Sequence, residues 1–228
     1  MMYNISNLTS SGGEILLDIL RKYKRVLFFL MFLPICLLYF LISYIDFERT
    51  MIHCALDDII PFVPAFIVPY VLWYAYVPLM LILTCFAAPE YFVRQCAAFF
   101  GGALFCLLTF IVFPTAIDFR PQITGGGVFE WMCGVTFAND KPVNVFPSLH
   151  CYEALAVHLT TFSVPGLHRK TALRSASAVL AAIICASTVF VKQHSVIDVF
   201  AGCTVAVLAA LPVLILNRRS RKNDNQAV

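Results

Sequence analysis

Residues 196–216 read VIDVFAGCTVAVLAALPVLIL, an apolar run in which Asp198 is the one ionisable side chain. A helix needs about 20 apolar residues to cross the hydrocarbon core of a bilayer, so this run is long enough to span it. Five further apolar runs lie at about 26–45, 61–86, 94–114, 149–165 and 174–191. The sequence therefore predicts an all-α, polytopic membrane bundle of six transmembrane helices.

Composition supports the same class. The chain has 228 residues, of which 61% are hydrophobic and 13% charged. A soluble globular domain carries roughly 45–50% apolar and about 25% charged residues. Six crossings leave little sequence over, which predicts a single membrane-embedded domain over residues 1–228 without a separate soluble module.

The basic residues predict the orientation of the bundle. Six crossings place both termini on one side with the 87–93 and 166–173 loops, and that side carries twelve basic residues against four on the other. The twelve are Arg21, Lys22, Lys24, Arg25, Arg94, Arg169, Lys170, Arg174, Arg218, Arg219, Arg221 and Lys222; the four are Arg49, Arg120, Lys141 and Lys192. This asymmetry predicts cytoplasmic termini, in the plasma membrane if the protein is bacterial. We interpret the basic C-terminal run as the same signal rather than as a nucleic-acid site; the oligomeric state stays open.

Three polar clusters fall on the opposite, non-cytoplasmic side: Phe119–Pro121, Phe146–His150 and Lys192–Asp198. In the last of them, His194 and Asp198 are four residues apart and share one face of a helix. A carboxylate there can fix the imidazole tautomer and leave the other ring nitrogen as a nucleophile or base. Lys192 is a candidate phosphate ligand at the same helix end. The alternative is a polar helix end in which Asp198 is only a cap.

The second cluster has the composition of a helix entry. Pro147 and Ser148 suit the start of a helix, where Ser can cap and free N–H groups attract an anion. His150 then lies in the first turn, and Arg120 of the first cluster offers a guanidinium suited to phosphate. Taken singly, each has a plain alternative as a cap, an interfacial histidine or a solvated arginine. Their combination at one membrane face predicts an anion site.

With these residues in place, the sequence resembles the phosphatidic acid phosphatase type 2 superfamily, relatives of the vanadium haloperoxidases, over about residues 113–202. The family motifs are K-x6-R-P, P-S-G-H and S-R-x5-H-x3-D. Matching positions are Arg120-Pro121, Pro147-Ser148-Leu149-His150, and Ser187, His194 and Asp198.

The resemblance implies hydrolysis of a lipid phosphate in the bilayer through a phosphohistidine, with no metal or cofactor. It assigns His194 as the nucleophile, Asp198 as its orienting group and His150 as the acid that protonates the leaving oxygen. Arg120 and Ser148 become phosphate ligands. Glu153, one turn after His150, is a possible substrate-binding residue or else a carboxyl paired inside the bundle.

Three positions depart from the motifs: Phe113 replaces the first-motif lysine, Thr188 the third-motif arginine and Leu149 the second-motif glycine. The Pro-Ser-Leu-His form looks like the branch that contains inositol phosphorylceramide synthases. A head-group phosphotransferase of the inositol phosphorylceramide or sphingomyelin synthase type is therefore an alternative. A second alternative is a transporter or channel, because ionisable residues inside a bundle also mark ion paths. A third alternative is a catalytically inactive relative of the family.

Two outer segments have less specific patterns. His53 lies near Asp57 and Asp58, which is compatible with a metal site, but this interpretation is disfavoured. The stretch from Val128 to Phe137, with Trp131, has the composition of a segment that lies along the membrane interface.

Overall fold

The computed structural model describes residues 30–226, with side chains for residues 30–220. Within this range the helices are α1 (Phe32–Tyr44), α2 (Ala55–Ile59), α3 (Ile67–Ala87, preceded by a 3₁₀ turn at Pro64–Phe66), α4 (Pro89–Val112), α5 (Val128–Asn139), α6 (Leu149–Thr161), α7 (Thr171–Phe190) and α8 (Val196–Gln226). Two short strands, β1 (Thr50–Met51) and β2 (Thr115–Ala116), complete the described elements.

Four helical segments are long and apolar enough to cross a membrane: Pro64–Ala87, Pro89–Val112, Thr171–Phe190 and Val196–Ser220. They confirm the predicted all-α class and four of the predicted spans, and they make the chain an integral membrane protein. The 61–86 run contains four prolines. Pro64–Phe66 form a 3₁₀ turn, and Pro78 lies within the α-helix that follows.

The other two predicted spans have no helix of spanning length among the described residues. The first begins outside the described residues, and its described helix, α1, has 13 residues. Helix α6 also has 13 residues and ends at Thr161 rather than at 165. At 1.5 Å per residue it is about 20 Å long, less than the roughly 30 Å hydrocarbon core. Pro165 and Gly166, whose φ is +81°, follow in a turn, and this sequence does not continue a helix. The six-crossing arrangement therefore stays a prediction.

Helix α6 lies at the centre of the bundle, in contact with α3, α4, α7 and α8. Several of its buried polar groups are paired across helices, because an unpaired polar group inside an apolar bundle is costly. Gln95 Nε2 donates to Thr161 Oγ1 at 2.7 Å and to Thr160 Oγ1 at 3.1 Å. The hydroxyl of Tyr152 donates to the carbonyl oxygen of Phe99 at 2.6 Å. The central helix thus fixes the relative positions of its neighbours.

The loops at one end of the bundle are tied together by backbone hydrogen bonds. Strand β1 pairs in parallel with β2, with Thr50 opposite Thr115, and Ala116 forms an antiparallel bridge with Val143. Helix α5 packs beside the start of α3, where its Cys133 is buried with Ile67 and Tyr70. Segments 46–60 and 115–148 are thereby brought to the end of the bundle where α6 and α8 begin.

Candidate active site

The start of α6 is joined directly to the start of α8. Ser148 is the N-cap of α6, and its Oγ accepts a hydrogen bond from the Cys151 N–H at 3.4 Å. The Ser148 N–H donates to the carbonyl oxygen of Asp198 at 3.1 Å. The Pro-Ser-Leu-His segment and the His-x-x-x-Asp segment are therefore in contact, as the sequence predicts.

Gly202 makes this close approach possible. A Cβ atom at Gly202 would lie 2.4 Å from the carbonyl oxygen of Ser148 and 3.2 Å from Cys151 Cβ. The first of these contacts is to backbone, which cannot move aside as a flexible side chain can. Only glycine at position 202 therefore allows this part of α8 to pack against the start of α6.

His194 and Asp198 lie side by side as expected, but His194 is in the turn before α8 and not on one helix face with Asp198. His194 Nδ1 lies 3.4 Å from Asp198 Oδ2, and the Asp198 side chain is fully buried. Asp198 Oδ2 also accepts the Ser195 N–H at 2.9 Å, so the carboxylate caps the helix and faces the imidazole at once. A carboxylate beside Nδ1 favours the tautomer with hydrogen on Nδ1, which leaves the Nε2 lone pair for a substrate. The two proposed roles of Asp198, cap and orienting group, are compatible.

His150 faces His194 across a short gap. Their ring centroids are 5.8 Å apart at an interplanar angle of 62°. Two aromatic residues of α3, Tyr70 and Trp73, pack on His150 with ring centroids 4.5 Å away. Among the described residues, the buried Nε2 of His150 has no hydrogen-bond partner. This nitrogen is available to exchange a proton with a ligand between the two histidines.

Arg120 is held next to the same histidine pair. One guanidinium nitrogen donates to the Asp140 carbonyl oxygen at 2.6 Å, and another donates to Gln193 Oε1. The guanidinium lies 5.1 Å from the centre of the Phe137 ring. Burial lowers the pKa of Arg120, an effect that the nearby Asp140 carboxylate opposes. Arg120 remains a cation throughout the physiological range, since an arginine pKa starts above 12.

Asp140, Tyr39 and Tyr70 form a brace behind the site that sequence reasoning missed. The Tyr39 hydroxyl donates to Asp140 Oδ1 at 2.8 Å and the Tyr70 hydroxyl to Oδ2 at 3.0 Å. Tyr70 also packs on His150, so the brace connects the Arg120 loop to the second histidine. A carboxylate in a loop and two tyrosines in apolar helices give no sequence signal of this kind, because the contacts span 70 and 101 residues.

The ammonium group of Lys192 is bound to the first outer loop. Lys192 has a left-handed backbone with φ of 56°. Its ammonium donates to the carbonyl oxygens of Asp57 at 2.6 Å and Ile60 at 2.5 Å. Two of its three N–H donors thus tie the α7–α8 turn to the first outer loop, and one is left for a phosphate. Its role as a phosphate ligand stays a prediction.

Asp57 caps the start of α8 from outside the three motifs. Its carboxylate accepts hydrogen bonds from the Val196 N–H at 2.9 Å, from Ser195 Oγ at 2.6 Å and from the Cys54 N–H at 2.8 Å. Burial alone raises a carboxyl pKa, but these hydrogen bonds outweigh it and hold the pKa of Asp57 below its usual value. An ionised carboxylate therefore fixes the two residues that follow His194.

The neighbouring acidic residue behaves differently. Asp58 is exposed and pairs with His53 at 2.9 Å. Among the side chains of residues 30–220, no group of three or more His, Cys, Asp or Glu is arranged to hold a metal ion. Asp57 and Asp58 thus have separate roles, the one capping a buried helix start and the other forming a surface ion pair.

Glu153 lies one turn beyond His150, inside the bundle. Its side chain is 7% exposed and interacts electrostatically with Cys106 of α4 and Cys36 of α1. It therefore borders the α1 and α4 side of the second histidine. Whether it contacts a substrate stays a prediction.

The side chains at the positions that depart from the family motifs make contacts with residues other than the two histidines. Thr188 is buried, and its hydroxyl donates to the Cys185 carbonyl oxygen at 2.8 Å. Phe113 packs on Phe146 with ring centroids 6.1 Å apart. Leu149 packs against the hydrophobic cluster that contains Tyr152. These residues supply neither of the two missing cations.

Other buried donors lie close to the histidines. Arg120 Nε, Gln193 Nε2 and Trp73 Nε1 are buried and have no partner among the described residues. Gln193 precedes His194, and Trp73 packs on His150. A buried donor without an acceptor is destabilising by about 1–3 kcal/mol. An anion seated between the histidines would give these donors an acceptor, and the site is thus suited to an oxyanion such as a phosphate ester.

Comparison with known proteins identifies the fold family. A sequence model of the PAP2 superfamily matches residues 98–222, which include Arg120, Ser148, His150, His194 and Asp198. No curated protein and no solved structure matches the chain. The family match covers more than half of the 228 residues. On this evidence the chain is a member of the PAP2 superfamily.

Proposed function

We propose that the protein is a metal-independent lipid phosphatase, which hydrolyses a lipid phosphate through a phosphohistidine at His194. Members of the family are phosphatases or phosphotransferases, which supports an enzyme of phosphate ester chemistry. The observation that carries the proposal is the pair of facing imidazoles 5.8 Å apart, one beside a buried carboxylate and the other with an unpaired nitrogen.

In the first step, the lone pair of His194 Nε2 attacks phosphorus and forms the N–P bond. The P–O bond to the lipid breaks, and the leaving oxygen takes a proton from His150, which starts this step protonated. Asp198, whose carboxylate lies 3.4 Å from His194 Nδ1, orients the ring and stabilises the positive charge that develops on it. The lipid alcohol is the first product.

In the second step, water attacks the phosphohistidine while the now neutral His150 takes one of its protons. The N–P bond breaks, inorganic phosphate leaves, and both histidines return to their starting states. Negative charge on the phosphoryl oxygens is stabilised by Arg120 and by the unpaired donors around it, in a site that excludes bulk water. The reaction thus needs two histidines with different surroundings, which this site provides.

The substrate class follows from where the site lies. The site lies in a bundle in which α3, α4, α7 and α8 each contain a segment of spanning length. A phosphate on a membrane lipid reaches such a site by lateral diffusion in the bilayer. With the twelve-to-four basic asymmetry, the proposed topology has cytoplasmic termini and a site on the opposite face of the membrane.

The experiment is a turnover measurement on purified protein in lipid nanodiscs. Phosphatidic, polyprenyl and sphingoid phosphates are supplied, and inorganic phosphate is measured. We expect phosphate release from at least one lipid. The rate of release should fall by 10²-fold or more in His194→Ala and in His150→Ala. It should stay near normal in His53→Ala, a matched change of an exposed histidine on the same face. Normal turnover in His194→Ala would refute the proposed nucleophile.

A phosphotransferase would share the first step and differ in the acceptor. The same assay separates the two, because adding diacylglycerol, ceramide or inositol would yield a new phospholipid in place of free phosphate. We rank hydrolysis first and keep phosphotransfer as the alternative that this assay decides.

A further inference from the structure

A cavity lies at the end of the bundle away from the two histidines. It has a volume of about 280 Å³ and is formed where α6 ends, α7 begins and α8 passes. His150 is in the first turn of α6, whereas His158 and Phe162 of the cavity are at its end. Arg174 likewise lies near the start of α7, a helix of about 30 Å whose other end leads to His194. The cavity is therefore separate from the candidate active site.

Four basic side chains line this cavity: His158, His168, Arg174 and Arg218. Arg174 donates one hydrogen bond, to the His168 carbonyl oxygen at 3.4 Å. Arg218 makes no hydrogen bond or ion pair with the side chains of residues 30–220, and within the same range no carboxylate pairs with either arginine. Two guanidinium groups on one cavity repel each other unless an anion lies between them. The electrostatics of the cavity thus favour an anionic ligand.

The rest of the wall is apolar, and its few polar groups are already paired. Leu159, Phe162 and Leu214 line the cavity beside the basic residues. Ser163 Oγ donates to the Thr160 carbonyl oxygen and accepts Asn217 Nδ2, both at 2.7 Å. A ligand here would meet cations at one side and hydrocarbon at the other. The volume far exceeds the roughly 30 Å³ share of a water molecule, which leaves room for an anion with carbon atoms attached.

We propose that this cavity binds the phosphate of a membrane lipid, with the head group between Arg174 and Arg218 and its first carbons against Leu159 and Leu214. Basic helix ends alone are explained by membrane topology, but that rule requires no cavity between them. Arg169 and Arg219 lie in the same two segments and are exposed, as Arg174 and Arg218 are, but they do not line the cavity. They provide a matched control. The proposal does not depend on the phosphatase proposal.

The test counts bound lipid on the purified full-length protein by native mass spectrometry, with dihexanoyl phosphatidic acid as the probe. We expect Arg174→Gln/Arg218→Gln to lose one bound equivalent, with roughly tenfold or more weaker binding at that site. Arg169→Gln/Arg219→Gln should keep it. Arg174→Lys/Arg218→Lys, which retains both charges, should also keep it, and a thermal melt of each variant checks folding.

Two further arms identify the source of the phosphate. Inorganic phosphate should compete poorly and dihexanoyl glycerol, which lacks the phosphate, should not bind. Competition by inorganic phosphate as effective as that of the lipid would assign the cavity to free phosphate and overturn the lipid proposal. Equal losses in the two glutamine variants would show attraction by general surface charge, and no loss in either would show that the cavity binds no phosphate.

Discussion

Replacing Asp57 by alanine removes the one carboxylate that links the first outer loop to the residues following His194. The side chain is 2% exposed and accepts hydrogen bonds from Val196, Ser195 and Cys54 at 2.9, 2.6 and 2.8 Å. A hydrogen bond to a charged group contributes about 1.5–3 kcal/mol. Because the three bonds share one carboxylate and partly relax when it is lost, we expect the free energy of unfolding to fall by about 3–5 kcal/mol in total.

Turnover should fall as well, because Ser195 and Val196 directly follow the proposed nucleophile. A displacement of a reacting group by about 1 Å can reduce a rate by roughly 10²-fold, and we expect a tenfold to hundredfold loss in kcat. The assays are the thermal melt in detergent and phosphate release from a lipid phosphate. Asp58→Ala is the control, since that neighbouring side chain is exposed and its surface pair with His53 contributes at most about 1 kcal/mol. Equal melting temperatures and equal turnover in the two variants would refute the positioning role.

The same carboxylate makes stability depend on pH. The pKa of Asp57 in the folded protein lies below its ordinary value of 3.8 because three donors favour the ionised form over burial. A depressed pKa means that the stabilisation is fully present above pH 3.8 and is lost as the pH falls through the folded value. Asp57→Asn should therefore melt at a lower temperature than the unmodified protein at pH 7, and this difference should shrink below about pH 4. A difference that stays constant from pH 7 to pH 3 would show that the charge of Asp57 is not involved.

Three further predictions concern packing, topology and chemistry. Gly202→Ala should destabilise the protein and reduce turnover, because its Cβ would meet the Ser148 carbonyl oxygen at 2.4 Å; an unchanged melting temperature and rate would contradict this contact. The topology is tested with a single cysteine at Lys170 or at Asn139, in a background with the accessible native cysteines replaced. The cysteine at 139 should be labelled from outside the cell and the one at 170 should not; the reverse pattern would invert the topology. Turnover should survive excess EDTA and be inhibited by vanadate, whose five-coordinate form resembles phosphoryl transfer at a histidine; loss with EDTA and recovery with Mg²⁺ would require another mechanism.

Local sequence patterns predicted the helices well. Three of the four long apolar runs became helical segments with limits within about five residues of those expected, because about 20 apolar residues have no other stable arrangement in a bilayer. The fourth, α8, continues ten residues past 216 to Gln226. Helix α6 ends four residues early, at Thr161. Its predicted extension relied on apolar composition, whereas the Pro165-Gly166 pair stops the helix.

The site was predictable where its residues are close in sequence or belong to a motif. His194 and Asp198 are close in sequence and meet, but not on one helix face: His194 lies in the turn before α8, beside Ser195, whose N–H the Asp198 carboxylate accepts. Ser148 caps a helix as its residue type favours. The hydrogen bonds of Asp57 and Lys192 were not predicted, since they connect segments about 135 residues apart. Neither periodicity nor residue type specifies such contacts, which depend on how the loops pack.

The most direct measurement is the trapping of the phosphoenzyme. The purified protein is mixed with a ³²P-labelled lipid phosphate and quenched in base, which preserves the N–P bond, and the labelled peptide is then sequenced by mass spectrometry. We expect the label on His194 and none in His194→Ala. With an aryl phosphate, whose leaving group needs no proton, His150→Ala should still form the phosphoenzyme and accumulate it, because breakdown lacks its base. Normal turnover without label on His194 would contradict phosphohistidine catalysis by this protein.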